Sequence, residues 1–127
     1  MPGRTVLGAG AQIALAHDYR IMRKDRGYFC LPEIDLGMPL HPGMTALIQA
    51  RLPIQTAHEV IATGTRYSGE RTLAQSIVDQ VEDEANVVSS AVELAAGLAG
   101  KAAPVMSRLK AEMYPQVVEA MASRMTA

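Results

Sequence analysis

The deciding stretch of this chain is Leu7-Gly8-Ala9-Gly10-Ala11-Gln12-Ile13-Ala14-Leu15-Ala16-His17-Asp18-Tyr19. Gly8 and Gly10 allow a tight backbone turn, and the residues that follow them favour a helix. The first turn of such a helix carries amide N–H groups without intrahelical partners and the positive end of the helix dipole. The sequence therefore predicts a turn and a helix over residues 9–17, with room for a negatively charged oxygen where the helix begins.

Length, charge and cysteine usage limit the class of protein. The chain has 127 residues, which suits one domain, and a formal net charge of -1, which gives no basic surface for nucleic acid. Its single cysteine, Cys30, excludes an internal disulfide, and no apolar run is long enough to span a membrane. The N-terminal residues lack the apolar core of a signal peptide. We therefore expect a cytoplasmic protein without nucleic-acid or membrane partners, while a mitochondrial or peroxisomal location stays open.

Short strands come early in the chain, and helices follow. Residues 18–23 alternate polar and apolar side chains, which predicts a half-buried strand, and residues 28–31 predict a second strand. Three prolines and two glycines predict that the segment 32–43 forms no regular element. Helices are then predicted over 44–51, 55–62 and 69–76, with Ser68 as the cap of the third. A strand follows over 77–81. The last predicted elements are a helix over 83–98, broken by Gly97, and a helix over 104–121 with a kink or break at Pro115.

The Gly8-Ala9-Gly10 turn is the first candidate site. Its functional interpretation is an oxyanion site in which the N–H of Ala9 is a donor. The structural alternative is a tight turn whose glycines only permit close packing. A dinucleotide-binding fingerprint is disfavoured because Ile13 stands where that motif needs a third glycine.

Glu33 is the second candidate, because it follows Pro32 directly and lies between two apolar residues, Leu31 and Ile34. A carboxylate in such a setting is often part-buried, and partial burial makes a better base near neutral pH. The alternative is an exposed loop carboxylate or a helix cap.

Other polar residues are better explained by structure. The histidines, at positions 17, 41 and 58, lack metal-ligand spacing, so no metal is predicted. Cys30 lies between Phe29 and Leu31 without a basic neighbour, which is typical of a small core residue. Asp18 is most simply a capping or turn residue, and Asp35 is a weaker candidate than Glu33.

Three segments in this order resemble the enoyl-CoA hydratase/isomerase (crotonase) family. Residues 8–22 resemble the family's glycine-rich loop, active-site helix and following Asp-led strand, and residues 29–37 resemble its Pro-Glu segment. Residues 63–67, with Ala74 and residues 77–81, resemble its Thr-Gly and Val-Asp segments. The sequence of residues 17–27 is most similar to that of Δ3,Δ2-enoyl-CoA isomerases. Because family members are about twice as long, the resemblance covers the C-terminal half of the family fold.

The resemblance implies an α/β fold: a partial ββα spiral in residues 1–82 and a helical, oligomerising region in residues 83–127. It implies an acyl-CoA thioester as substrate, with CoA as part of that substrate and no separate cofactor, and a trimer-type homo-oligomer. By position, Ala9 matches an oxyanion donor and Glu33 matches the proton-transferring carboxylate, with Gly8 and Gly10 shaping the loop.

Gln12 departs from the family's hydratases, which carry a second glutamate at the matching position. A glutamine neither takes nor gives a proton at neutral pH, so it lines the substrate site without acting as a base. Since isomerisation needs only one base, Gln12 favours an isomerase that moves a 3-enoyl-CoA double bond to the 2-position through a dienolate. Two alternatives stay open: a catalytically inactive fragment or assembly subunit, and a hydratase.

Overall fold

The computed structural model describes residues 6–124 of the chain. In order, these residues form β1 (Val6–Leu7), α1 (Ala9–Leu15), β2 (Ile21–Arg23), β3 (Phe29–Cys30), α2 (Glu33–Leu36), α3 (Pro42–Arg51), α4 (Ile54–Thr63), α5 (Gly69–Ala74), β4 (Gln80–Glu82), α6 (Val87–Leu98), α7 (Pro104–Met113) and α8 (Pro115–Met121). Short 3-10 turns flank α6. Thr5, which the sequence also places in a β-prone run, lies outside the described residues.

The four strands form two parallel pairs within this part of the chain. β1 pairs with β3, with Val6 opposite Phe29 and Leu7 opposite Cys30. β2 pairs with β4, so that Ile21 lies opposite Gln80. Two parallel strands need a crossover connection, and α1 lies in the segment of chain that connects β1 to β3. Since both strands of a parallel pair end at the same edge, α1 and α2 begin near each other.

The core is mostly aliphatic and is formed by residues of the strands, of helices α1, α3 and α4, and of the segments that connect them. α1 contributes Ala11 and Leu15, which are both fully buried. The strand β3 and the residue after it add Phe29 and Leu31, and α3 adds Ile48. Burial of these apolar side chains fixes the inner face of α1, and it thereby turns the neighbouring Gln12 toward the beginning of α2.

The prediction that residues 32–43 form no regular element is wrong. Pro32 caps α2, and Pro42 is the first residue of α3. Proline is tolerated at a helix start because the N–H that it lacks has no intrahelical partner there. Gly37, with φ +67°, then ends α2 in the left-handed conformation that glycine adopts easily. Two of the three prolines in this segment, Pro32 and Pro42, therefore stand where helices begin.

The later boundaries follow the sequence more closely. Ser68 caps α5, because its hydroxyl accepts a hydrogen bond from the Arg71 N–H at 3.3 Å. Pro115 separates α7 from α8, as predicted. Gly97 does not break α6, which continues through it to Leu98. The predicted strand over 77–81 is displaced to Gln80–Glu82, because the carboxylate of Asp79 accepts a hydrogen bond from the Arg20 N–H just before the ladder begins.

The three C-terminal helices pack on the outside of this core. α8 lies against α3, where the His41 ring lies 2.8 Å from the Ser123 carbonyl oxygen. Arg51 donates to the Tyr114 hydroxyl at 2.6 Å and to the Asp18 carbonyl oxygen at 2.7 Å. These polar contacts join the end of α1 to the α7–α8 junction. None of the helices in residues 6–124 has the length and apolarity that a membrane crossing requires.

Candidate active site

The parallel pairing of β1 with β3 brings two distant segments together. Gly8, directly after β1, donates its N–H to the Cys30 carbonyl oxygen at 3.2 Å. Helix α1 therefore begins beside the loop in which α2 begins. The amide Nε2 of Gln12 in α1 donates to Oε1 of Glu33, the first residue of α2, at 3.1 Å. Two side chains 21 positions apart thus meet at one edge of the strand pair.

The two carboxylate oxygens of Glu33 have different surroundings. Oε1 is bound to Gln12, whereas Oε2 is shielded from solvent and has no hydrogen-bond partner within the described part of the chain. A buried polar atom without a partner is costly, and native structures satisfy most such atoms. The geometry leaves one carboxylate oxygen in position to interact with a further group.

The beginning of α1 presents amide N–H groups that have no partner within the helix. Its first intrahelical bond runs from the Gln12 N–H to the Gly8 carbonyl oxygen at 3.1 Å, so the N–H groups of Ala9 and Gly10 precede the ladder. Both residues are exposed. Gly8 has φ +53° and ψ −119°, a conformation that an L side chain rarely adopts, although a Cβ there would meet no atom within 4 Å. Glycine is therefore needed at position 8 for its backbone conformation.

The structure brings together all five residues that the sequence singles out for the site. Gly8, Ala9, Gly10 and Gln12 lie in the first part of α1 and its cap, and Glu33 contacts Gln12. The sequence does not reveal that Gln12 binds Glu33 directly, because that contact depends on strand register.

The polar residues that the sequence assigns to structure have structural partners. The His17 ring lies 2.8 Å from the Ile13 carbonyl oxygen, and Asp18 forms an ion pair with Lys110. The Cys30 thiol donates to the Gly64 carbonyl oxygen at 3.2 Å, and burial raises the pKa of that thiol. Across residues 6–124, no group of three or more histidine, cysteine, aspartate or glutamate side chains could hold a metal ion.

Exposed apolar side chains on the same two helices are a feature that sequence reasoning missed. Ile13 follows Gln12 and is 63% exposed, and Ile34 follows Glu33 and is 55% exposed. Each is a large apolar residue next to a candidate site residue, and that adjacency in the sequence could have identified them.

Tyr67, elsewhere in the core, has a hydroxyl with a shifted pKa, but its contacts are structural and do not form part of the candidate active site. Tyr67 is fully buried and donates its hydroxyl to Glu59 at 2.8 Å, while Arg71 lies over its ring. Burial and the Glu59 carboxylate raise the pKa of this hydroxyl. The group therefore stays protonated and serves to anchor α4 to the segment before α5.

The chain is similar to known proteins over most of its length. The family model described as enoyl-CoA hydratase/isomerase matches residues 3–127. Enoyl-CoA delta isomerase 2, peroxisomal, of Arabidopsis thaliana is 33% identical over 114 residues, covering 86% of this chain and 48% of that protein. Carnitinyl-CoA dehydratase of Salmonella paratyphi A is 35% identical over 107 residues, covering 84% of this chain and 40% of that protein.

Solved structures support the fold. An enoyl-CoA isomerase of Mycobacterium tuberculosis superposes with a TM-score of 0.83 at 21% identity, covering 91% of this chain and 51% of that one. An enoyl-CoA hydratase from Mycobacterium marinum gives a TM-score of 0.82 at 20% identity, with the same shares covered. The predicted α/β, partial crotonase-like fold is confirmed. The chain spans about half the length of these relatives, and it belongs to the enoyl-CoA hydratase/isomerase family.

Proposed function

We propose that this chain carries the proton-transfer site of an enoyl-CoA isomerase, which acts on an acyl-CoA thioester. One observation carries the proposal: Oε2 of Glu33 is shielded and has no partner in the described part of the chain, and the side chain beside it, Gln12, cannot ionise. A single carboxylate with one free oxygen suits chemistry that uses one base. No separate cofactor is required, since CoA is part of the substrate.

The proposed reaction moves one proton and no other group. Glu33 removes a proton from C2 of a 3-enoyl-CoA, and the electrons of that C–H bond spread onto the thioester oxygen as a dienolate. The N–H of Ala9 stabilises the oxygen by hydrogen bonding. Glu33 then returns a proton to C4, the double bond lies between C2 and C3, and the carboxylate is restored.

A hydratase or dehydratase is the second candidate, favoured by the similarity to carnitinyl-CoA dehydratase. Addition of water needs a group that activates the water and a group that protonates the carbon. Gln12 occupies the position from which a second carboxylate would act, and it performs neither step. The side-chain chemistry of the site therefore favours isomerisation.

An assay of the purified chain on two substrates separates these functions. With 3-hexenoyl-CoA, isomerisation forms a conjugated thioester and raises the absorbance, so we expect a rise. With 2-hexenoyl-CoA, hydration adds one water across the double bond, whereas isomerisation leaves the mass of the thioester unchanged, so we expect mass spectrometry to detect no hydrated product. Formation of 3-hydroxyhexanoyl-CoA from 2-hexenoyl-CoA would favour a hydratase. A folded chain that changes neither substrate would favour a non-catalytic fragment or assembly subunit.

We further propose that the C-terminal helices mediate self-association of trimer type. Helices α6, α7 and α8 bury none of their residues, and α6 exposes Val88 by 73% and Val92 by 62%. Exposed apolar surface of this kind is typical of an interface.

Light scattering should give a mass about three times the 13.6 kDa of one chain. Val92→Glu should lower this mass. The control, Gln116→Glu, adds the same charge at an exposed polar position and should leave the mass unchanged. Equal masses for the two variants would contradict self-association through the C-terminal helices.

A further inference from the structure

We propose that Gln12 is a positioning residue that selects Oε2 of Glu33 as the oxygen that carries the proton. This inference rests on the isomerase function proposed above. The Gln12 amide binds Oε1 at 3.1 Å, and Oε2 is shielded from solvent and has no hydrogen-bond partner among residues 6–124. The carboxylate therefore has one oxygen held in place and one oxygen that no described group holds.

The orientation of the Gln12 amide follows from the chemistry of its partner. An ionised carboxylate only accepts hydrogen bonds, so the amide must present its NH2 group and not its oxygen. A hydrogen bond to a charged acceptor is among the stronger ones in proteins. Gln12 is itself half-buried on α1, whose inner face is fixed by the fully buried Ala11 and Leu15. The donor is thus held by a packed helix.

A fixed carboxylate suits a reaction in which the same oxygen serves two carbons. The C2–H bond breaks as the Oε2–H bond forms, and the Oε2–H bond then breaks as the C4–H bond forms. Between the two steps the proton stays on Glu33. If the carboxyl group rotated freely, this proton would exchange with water more often before it reached C4. By holding Oε1, Gln12 keeps the protonated oxygen directed at the substrate.

Removal of the amide donor tests this role. Gln12→Met keeps the length of the side chain and removes its hydrogen bond. We expect kcat to fall by about 10- to 100-fold, the size of one hydrogen bond to a charged group, with KM little changed. The matched control is Gln55→Met, which makes the same change at an exposed position of α4 and should leave kcat as in the wild-type chain.

Isotope transfer supplies a second measurement that a purely structural role would not change. Isomerisation of 3-hexenoyl-CoA in D2O should give a product that partly retains hydrogen at C4, and Gln12→Met should raise the deuterium content at that carbon. Because this content is a ratio within the product, it is independent of how much enzyme is folded. Wild-type turnover with unchanged kcat and deuterium content in Gln12→Met would overturn the positioning role and leave the isomerase function intact. A wild-type chain without turnover would overturn both.

Discussion

Glu33→Gln is expected to lower the rate of 3-enoyl-CoA isomerisation by about 10²- to 10⁴-fold, the usual contribution of a positioned general base. The change preserves the size and shape of the side chain and removes its capacity to accept a proton. Because the side chain is half-buried and its Oε2 lacks a partner among residues 6–124, the fold should tolerate the amide. The rate is measured from the rise in absorbance as the conjugated thioester forms.

Two further variants separate loss of the base from loss of structure. Glu70→Gln makes the same chemical change on an exposed carboxylate in the first turn of α5, and its rate should equal that of the wild-type chain. Glu33→Asp keeps a carboxylate but shortens the side chain by one methylene. Because a displacement of about 1 Å can lower a reaction rate by about 10²-fold, we expect this variant to be slower than the wild-type chain. A Glu33→Gln chain that turns over within a few-fold of the wild-type rate would remove Glu33 from the mechanism.

The parts of the site that lie close together in the sequence were predictable from it. The turn at Gly8 and the helix after it follow from local backbone preferences, and the structure has α1 from Ala9 to Leu15. Ser68 was likewise predictable as a cap, since its hydroxyl needs only the N–H of a residue three positions on. These features depend on interactions within one turn of the chain.

The contact between Gln12 and Glu33 was not predictable from local pattern. It depends on β1 and β3 pairing in parallel with Leu7 opposite Cys30, and both strands contain only two residues. Such short strands carry too few side chains for periodicity to set their register. Resemblance to the family suggested that positions 12 and 33 share a site, whereas the hydrogen bond between them required the three-dimensional structure.

The segment after Pro32 shows a different limit of sequence reasoning. A cluster of proline and glycine predicts irregular structure, but the effect of these residues depends on their position. Pro32 and Pro42 stand where helices begin, and Gly37 stands where α2 ends. A segment rich in proline and glycine can be a loop or can contain the boundaries of two helices, so composition alone could not distinguish the two cases. As a result, Glu33 is the first residue of α2 and does not lie in an irregular loop.

Gly69→Ala is expected to destabilise the fold, because a Cβ at this position would overlap neighbouring backbone atoms. Gly69 is the first residue of α5 and is buried. A Cβ at this position would lie 2.8 Å from Lys24 Cα and in contact with the Arg23 carbonyl oxygen. Both are backbone atoms, and the Lys24 N–H donates to the Glu82 carbonyl oxygen at 2.9 Å, which ties this backbone to β4. The neighbouring chain therefore has little freedom to move away.

The expected cost in the free energy of unfolding is about 1–3 kcal/mol, the usual range for overpacking a well-packed site. At this chain length each kcal/mol corresponds to roughly 4 °C, so Tm should fall by roughly 4–12 °C. Gly97→Ala is the matched control, because Gly97 lies in the last turn of α6 and a Cβ there would meet no atom within 4 Å. That variant should be no less stable than the wild-type chain, with a gain of at most about 0.5–1 kcal/mol, the value for a glycine in a helix interior. A fall in Tm for Gly69→Ala alone would show that steric contact with β2 decides the first case. A Gly69→Ala chain as stable as the wild type would contradict the close packing of α5 on the end of β2.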